Sequence, residues 1–117
     1  MLKYDLEERT AKFGESIIQF CKSLVKDPIS LPMITQLLRA GTSVGANYME
    51  ANGASSRKDF KNKIFISKKE SQECKHWLRM LASYFPDKTQ VARIHWQEAH
   101  ELTLIFHQIT KTIKSKG

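Results

Sequence analysis

A chain of 117 residues has the length of one domain, spanning 1–117, and can bury a core without disulfides or a structural metal. Its two cysteines, Cys21 and Cys74, fall inside helical patterns rather than at spaced loop positions, which excludes a disulfide framework or a zinc knuckle and leaves two buried thiols. The formal net charge of +7 is unevenly placed, because residues 1–53 hold six basic and six acidic side chains whereas residues 54–117 hold 13 and six.

The first predicted helix covers about residues 5–26, with Asp5 and Glu8 spaced as a capping box and Leu6, Phe13, Ile17, Phe20 and Leu24 on one stripe. Asp5, Glu7, Glu8 and Arg9 interrupt any signal-peptide pattern, and no uncharged apolar run reaches the roughly 18 to 20 residues of a membrane span, so a cytoplasmic protein is expected. Asp27-Pro28 closes this helix, and Ser30 with Pro32 opens the second, about 31–52. Gly53 suits a left-handed position after it. Ser56 with Asp59 caps the third helix, about 57–84, which Phe85-Pro86 ends; Asp87 with Gln90 caps the fourth, about 88–115, whose apolar stripe is Val91, Ile94, Leu102, Ile105, Ile109 and Ile113. Strand signals are missing. Helices of this length joined by a few residues must lie beside their neighbours in opposite directions, so the expected fold is all-α, an antiparallel up-down-up-down four-helix bundle.

The middle of the chain carries the sharpest pattern. Ile34, Leu37, Gly41, Val44, Tyr48 and Ala51, then Phe60, Ile64, Ser67, Ser71, Cys74, Leu78 and Leu81, recur in alternating steps of three and four on either side of a short polar turn. Small residues on that seam let two helices approach closely. Beside it runs a polar stripe of Arg39, Ser43, Asn47 and Glu50, answered on the third helix by Glu70 and Glu73. A turn centred near Ala54 brings Arg39 level with Glu70, so an ion pair from Arg39 to Glu70 or Glu73 is expected, as a structural layer that fixes register. No nucleophile with a positioned base and no glycine-rich phosphate loop accompanies it, and enzyme activity is not expected.

Leu38-Arg39-Ala40-Gly41-Thr42-Ser43-Val44-Gly45-Ala46-Asn47, then Glu50, Ser56-Arg57-Lys58-Asp59-Phe60, and Lys69-Glu70-Ser71-Gln72-Glu73-Cys74 with Trp77-Leu78 closely resemble the bacterial four-helix bundle family also called ribosomal RNA intervening-sequence proteins. The pattern covers roughly residues 31–81. That resemblance implies a left-handed antiparallel bundle assembled as a homopentamer, without known enzyme activity. The chain is also similar to the accessory protein of diversity-generating retroelements, which works beside a reverse transcriptase and binds nucleic acid. Met49-Glu50-Ala51-Asn52-Gly53 departs from the family's usual small-residue run ending in Glu-Gly, which bears on the turn.

Up-down topology brings the start of the third helix to the end of the fourth. Arg57, Lys58, Lys61 and Lys63 should then meet Lys111, Lys114 and Lys116, while Lys58, Lys61, Phe65, Lys68 and Lys69 form a basic strip interrupted by an aromatic. Cations at a helix amino terminus oppose its dipole, so an anionic partner, RNA or DNA, is the functional reading, and a solvated lysine face is the alternative. Asp5, Glu7 and Glu8 at the same end would weaken the field. Two further readings compete: a protein-only adaptor ring, and a di-metal protein built on Glu73-x-x-His76. The last needs a second such motif, which the sequence lacks, and His95, His100 and His107 share no four-ligand geometry, so no metal or cofactor is implied.

Overall fold

A computed structural model describes the backbone of residues 2–116 and the side chains of residues 6–113. Four helices, α1 (Leu2–Lys22), α2 (Ser30–Asn52), α3 (Arg57–Tyr84) and α4 (Thr89–Lys116), run antiparallel in a rod of 46 × 22 × 21 Å. Among the described residues there is no strand. Among the same residues no helix is long and apolar enough to cross a membrane.

The stripes read from α1, α2 and α3 are the core. Leu6, Phe13, Ile17, Phe20 and Leu24 are buried, as are Ile34, Leu37, Gly41, Val44, Tyr48 and Ala51, and Ile64, Ser67, Ser71, Cys74, Leu78 and Leu81; Phe60 is half-buried. The α4 stripe differs. Ala92, Ala99, Leu102, Phe106 and Thr110 are its inward residues, while Ile94 is 67% exposed, Val91 is exposed and Ile105, Ile109 and Ile113 are half-buried. A three-four periodicity cannot say which of two neighbouring apolar faces turns inward. Here Ile94, Ile105, Ile109 and Ile113 line an open groove of about 1490 Å³ between α4 and α1, the least closely packed pair of neighbours in the bundle.

Helix ends also depart from expectation in physically legible ways. α1 is helical from Leu2, and the side chain of Asp5 lies outside the described residues. It stops at Lys22, before the expected 26: Pro28 has no N–H to offer the Leu24 carbonyl, and the Lys26 ammonium donates instead to the carbonyls of Cys21 (2.7 Å) and Leu24 (2.9 Å). Asp27 opens α2 rather than closing α1: its Oδ1 accepts from the amides of Ile29 (2.9 Å) and Ser30 (2.8 Å). Those bonds, with the hydroxyl of Tyr84 on Oδ2 at 2.7 Å, hold the Asp27 carboxyl below its ordinary pKa, the Ser30 amide contributing most. Gly53 sits at φ −97°, not in the left-handed region, because its N–H closes directly onto the carbonyls of Met49 and Glu50. Ser56 caps α3 by accepting from the Asp59 amide at 3.0 Å. Asp87 lies within a 3-10 turn, Pro86–Lys88, and α4 begins at Thr89, whose hydroxyl donates to the Pro86 carbonyl at 2.8 Å.

Each of the four seams has its own chemistry, and α1 meets α2 through glycine. A Cβ on Gly41 would lie 2.8 Å from Ile17 Cγ2 and 3.0 Å from Ile17 Cβ, so the neighbour's branch point, not a flexible tip, occupies the space. A Cβ on Gly14 would meet only ordinary contacts, the nearest at 3.5 Å. Gly41→Ala should therefore destabilise by about 1–2 kcal/mol despite alanine's better helix propensity. Gly14→Ala should be neutral or stabilise by up to about 1 kcal/mol. Urea unfolding of the two variants checks the difference in sign.

Candidate functional site

The charged side chains sort themselves by seam. Arg39 on α2 reaches both acids on α3: Nη1 lies 3.3 Å from each Glu70 carboxylate oxygen, and Nη2 lies 2.6 Å from Glu73 Oε1. Glu70 is buried, at 5% exposure, whereas the Arg39 side chain remains 46% exposed, so the carboxylate has entered the bundle and the guanidinium caps it. Partial burial works against the Arg39 charge, but the two carboxylates outweigh it and raise its pKa. Further along the seam Lys63 Nζ meets Glu50 Oε1 at 2.8 Å, a bond that raises the lysine's pKa. Between these ion pairs Ser67 Oγ donates to the Val44 carbonyl at 3.1 Å. Ser43 and Asn47 do not cross the seam: Ser43 Oγ donates to the Arg39 carbonyl (2.6 Å), and Asn47 Nδ2 to the Ser43 carbonyl (2.9 Å).

A second network went unread in the sequence. Arg9 on α1 makes a bidentate pair with Glu98 on α4, Nε to Oε2 at 2.7 Å and Nη2 to Oε1 at 2.8 Å, and also reaches Glu101 Oε1 at 2.8 Å. Chiefly through Glu98 the pKa of Arg9 rises; that of Glu101 falls under the Gln97 amide and Arg9. The signal was available: Glu98 and Glu101 are three apart and interrupt the outer α4 stripe between Ile94 and Ile105. Its partner could not be named, because α1 and α4 are not joined by a short turn.

Four of the six carboxylates in residues 54–117, Glu70, Glu73, Glu98 and Glu101, are thus held by two arginines from the electrically neutral half of the chain. Only Asp59 and Asp87 of that set remain. Of the described lysines of α3 and α4, Lys63 is offset by Glu50.

At one end of the rod, Arg57 shares the groove lining with Leu6, Thr112 and Ile113, which places the start of α3 beside the end of α4 and the start of α1. Arg57, Lys58 and Lys111 are exposed there and Lys61 is partly so. The side chain of Lys114 lies outside the described residues. Lys63 is turned to Glu50 and is withdrawn from this cluster. Glu7 is at the same pole, accepting from Asn52 Nδ2 at 3.2 Å. Lys68 lies further along the rod, with its Nζ 3.0 Å from His107 Nδ1, and Lys75 repeats the contact with His100 Nδ1 at 3.1 Å.

Other chemistry is poorly supported. Among the described residues no three His, Cys, Asp or Glu side chains converge as metal ligands; Glu73 is committed to Arg39, and the exposed His76 packs edge-on against Trp77. His95 packs against Phe20, and burial lowers its pKa. Burial likewise pushes the thiol of Cys74 up to about 12 and that of Cys21 up to about 11, well away from the thiolate a nucleophile needs.

Residues 3–87 match the 23S rRNA-intervening sequence protein family. The chain belongs to that family. A crystal structure from Bacteroides thetaiotaomicron, of a protein with unknown function in the S23 ribosomal protein family, is 32% identical, superposes with a TM-score of 0.82, and covers 90% of this chain and 97% of its own. No curated protein matches.

Because Arg39→Ala strands a buried Glu70, it should cost about 1–3 kcal/mol, below the full cost of breaking a buried pair since the guanidinium is half exposed. Glu73→Gln should cost under about 1 kcal/mol. Thermal unfolding of both checks the order. The two cysteines set a second expectation, with its sign fixed by their raised values. The folded chain keeps thiol protons that the unfolded chain releases near 9.0, so stability is intact below pH 9 and falls as pH rises toward 11–12. The Cys21→Ala/Cys74→Ala double variant should lose less stability over that interval in a pH series of urea melts.

Proposed function

We propose that this 23S rRNA-intervening sequence family protein is a non-enzymatic, ring-forming bundle that binds RNA or DNA through its basic end, by backbone charge rather than base identity. The observation that carries the reading is the disposal of acid: Arg9 and Arg39 hold four of the six carboxylates of the basic half, and the cations Arg57, Lys58, Lys61 and Lys111 gather at one pole, with Glu7 and Asp59 beside them. Stability alone does not favour cations on the first turn of α3. A polyanion that releases counterions on binding does. Lys114 extends the same cluster in sequence, and Lys68 continues it along α3.

Self-assembly is supported by two unlike apolar faces. Leu31, Thr35, Leu38, Thr42, Ala46 and Met49 are all exposed and recur in steps of three and four down the outside of α2, a second uncharged seam in addition to the buried one. The groove between α1 and α4 is the other face. Different faces on one protomer suit head-to-tail contact, which closes into a ring, and the pentamer implied by the resemblance is a ring of that kind. A cytoplasmic location and a reverse transcriptase or another nucleic-acid enzyme as partner belong to the same reading. The second reading, a protein-only scaffold, rests on the α2 seam alone.

Fluorescence anisotropy at low salt, with structured RNA, single-stranded RNA and duplex DNA, tests the proposal. Binding should weaken steeply with salt, and Lys58→Gln/Lys61→Gln/Lys111→Gln should lower affinity about tenfold or more with unchanged helicity. Absence of binding to all three ligands contradicts it. Native mass spectrometry should find a closed oligomer; a monomer that associates only with another protein favours the scaffold.

A further inference from the structure

The outer seam of α3 and α4 repeats one unusual pair. Lys68 meets His107 and Lys75 meets His100, each through Nδ1, at 3.0 and 3.1 Å. The lysines are seven apart on α3 and the histidines seven apart on the antiparallel α4, so the pairs form rungs about 10.5 Å apart at 1.5 Å of rise per residue. An ammonium only donates, so Nδ1 must accept and the ring proton sits on Nε2. Each rung therefore has donors alone to offer a ligand: two remaining ammonium N–H groups and one imidazole N–H. The nearby carboxylates of the same helices face other seams, since Glu70 and Glu73 are held by Arg39, and Glu98 and Glu101, the latter adjoining His100, by Arg9. An aromatic plane, that of the half-buried Trp96, adjoins the Lys75–His100 rung. Trp96 stacks on His100 with centroids 5.1 Å apart and planes 15° apart, and Lys75 Nζ lies 5.2 Å from the Trp96 ring.

We propose that this ladder is a track for single-stranded nucleic acid, with phosphodiester oxygens accepting from the Lys68–His107 and Lys75–His100 rungs and bases packing against the Trp96–His100 stack. The inference rests on the nucleic-acid reading above and adds a second surface and a ligand form to it. A chain of donors without acceptors matches a phosphodiester, which has acceptors only. Straightness selects the strand: one rung spacing along a duplex is about three base pairs, over which either backbone turns through roughly 100° and leaves a straight rod. An unpaired strand can follow the rod and present bases to aromatic side chains.

The test is anisotropy of labelled oligouridylate and labelled duplex DNA with the intact chain, and with four variants. Oligouridylate should bind more tightly than the duplex. Lys68→Gln/Lys75→Gln should lose about tenfold in oligouridylate affinity and reduce the salt slope by about 1.4, the loss of two phosphate contacts. Lys68→Arg/Lys75→Arg should retain binding. Trp77→Phe leaves Trp96 as the sole tryptophan, and its emission should change on saturation with oligouridylate. Full binding by Lys68→Gln/Lys75→Gln together with loss in Arg57→Gln/Lys58→Gln overturns the track and leaves the basic end standing. Equal or tighter duplex binding, or unchanged Trp96 emission at saturation, also overturns it. Failure of the unaltered chain to bind any nucleic acid removes both proposals.

Discussion

Two guanidinium groups organise the electrostatics of this bundle. Arg39 on α2 and Arg9 on α1 each reach across a helix boundary and take two carboxylates, Glu70 with Glu73 and Glu98 with Glu101, that belong to the α3–α4 hairpin. Each pairing acts twice. It sets the level at which two helices lie, because a guanidinium fork meets two acids three residues apart at one axial position only. It also offsets four of the six carboxylates that lie in the lysine-rich half of the chain.

Energetically the two networks differ. Glu70 is buried, so Arg39 relieves a desolvated carboxylate and its removal leaves a charge without compensation. Arg9, Glu98 and Glu101 are each about a third or more exposed, and water screens what they contribute. The latter network matters through geometry. It bridges a seam where apolar packing is incomplete, holding α1 to α4 along the margin of a groove lined by Ile94, Ile105 and Ile109. Open to water, those isoleucines form an apolar patch of the kind that interaction sites present, and the self-assembly proposed above would cover it.

Legibility in the sequence followed the length of the connections. The α2–α3 hairpin could be counted outward from a short turn, so the buried seam and the level of Arg39 against Glu70 were accessible from residue numbers. The Arg9 network spans α1 and α4, where no turn fixes the count, and it was not. The α4 stripe is right at Leu102, which is buried, and partly right at Ile105 and Ile109, which pack against the core, but Val91 and Ile94 face outward and Ala92, Ala99 and Phe106 turn inward: hydropathy favours the isoleucines, although the small alanines allow the close approach that the interior needs. Loop chemistry was ambiguous at Asp27, a residue able to end one helix or open the next. Of the candidate nucleic-acid residues, Lys63 carries the same charge as its neighbours, and only coordinates reveal that Glu50 neutralises it. The lysine–histidine rungs have a sequence signal, matched seven-residue spacings on α3 and α4, but one that gains meaning only once the antiparallel level is known.

Photo-crosslinking of thiouridine-labelled RNA to the intact protein, with the adducts mapped by mass spectrometry, addresses the segregation of charge most directly. The account predicts adducts on α3 and α4, near Phe65, Trp96 and His107, together with the pole around Arg57 and Lys58. Adducts confined to α1 and the outer face of α2, on the side of the two organising arginines, would contradict it.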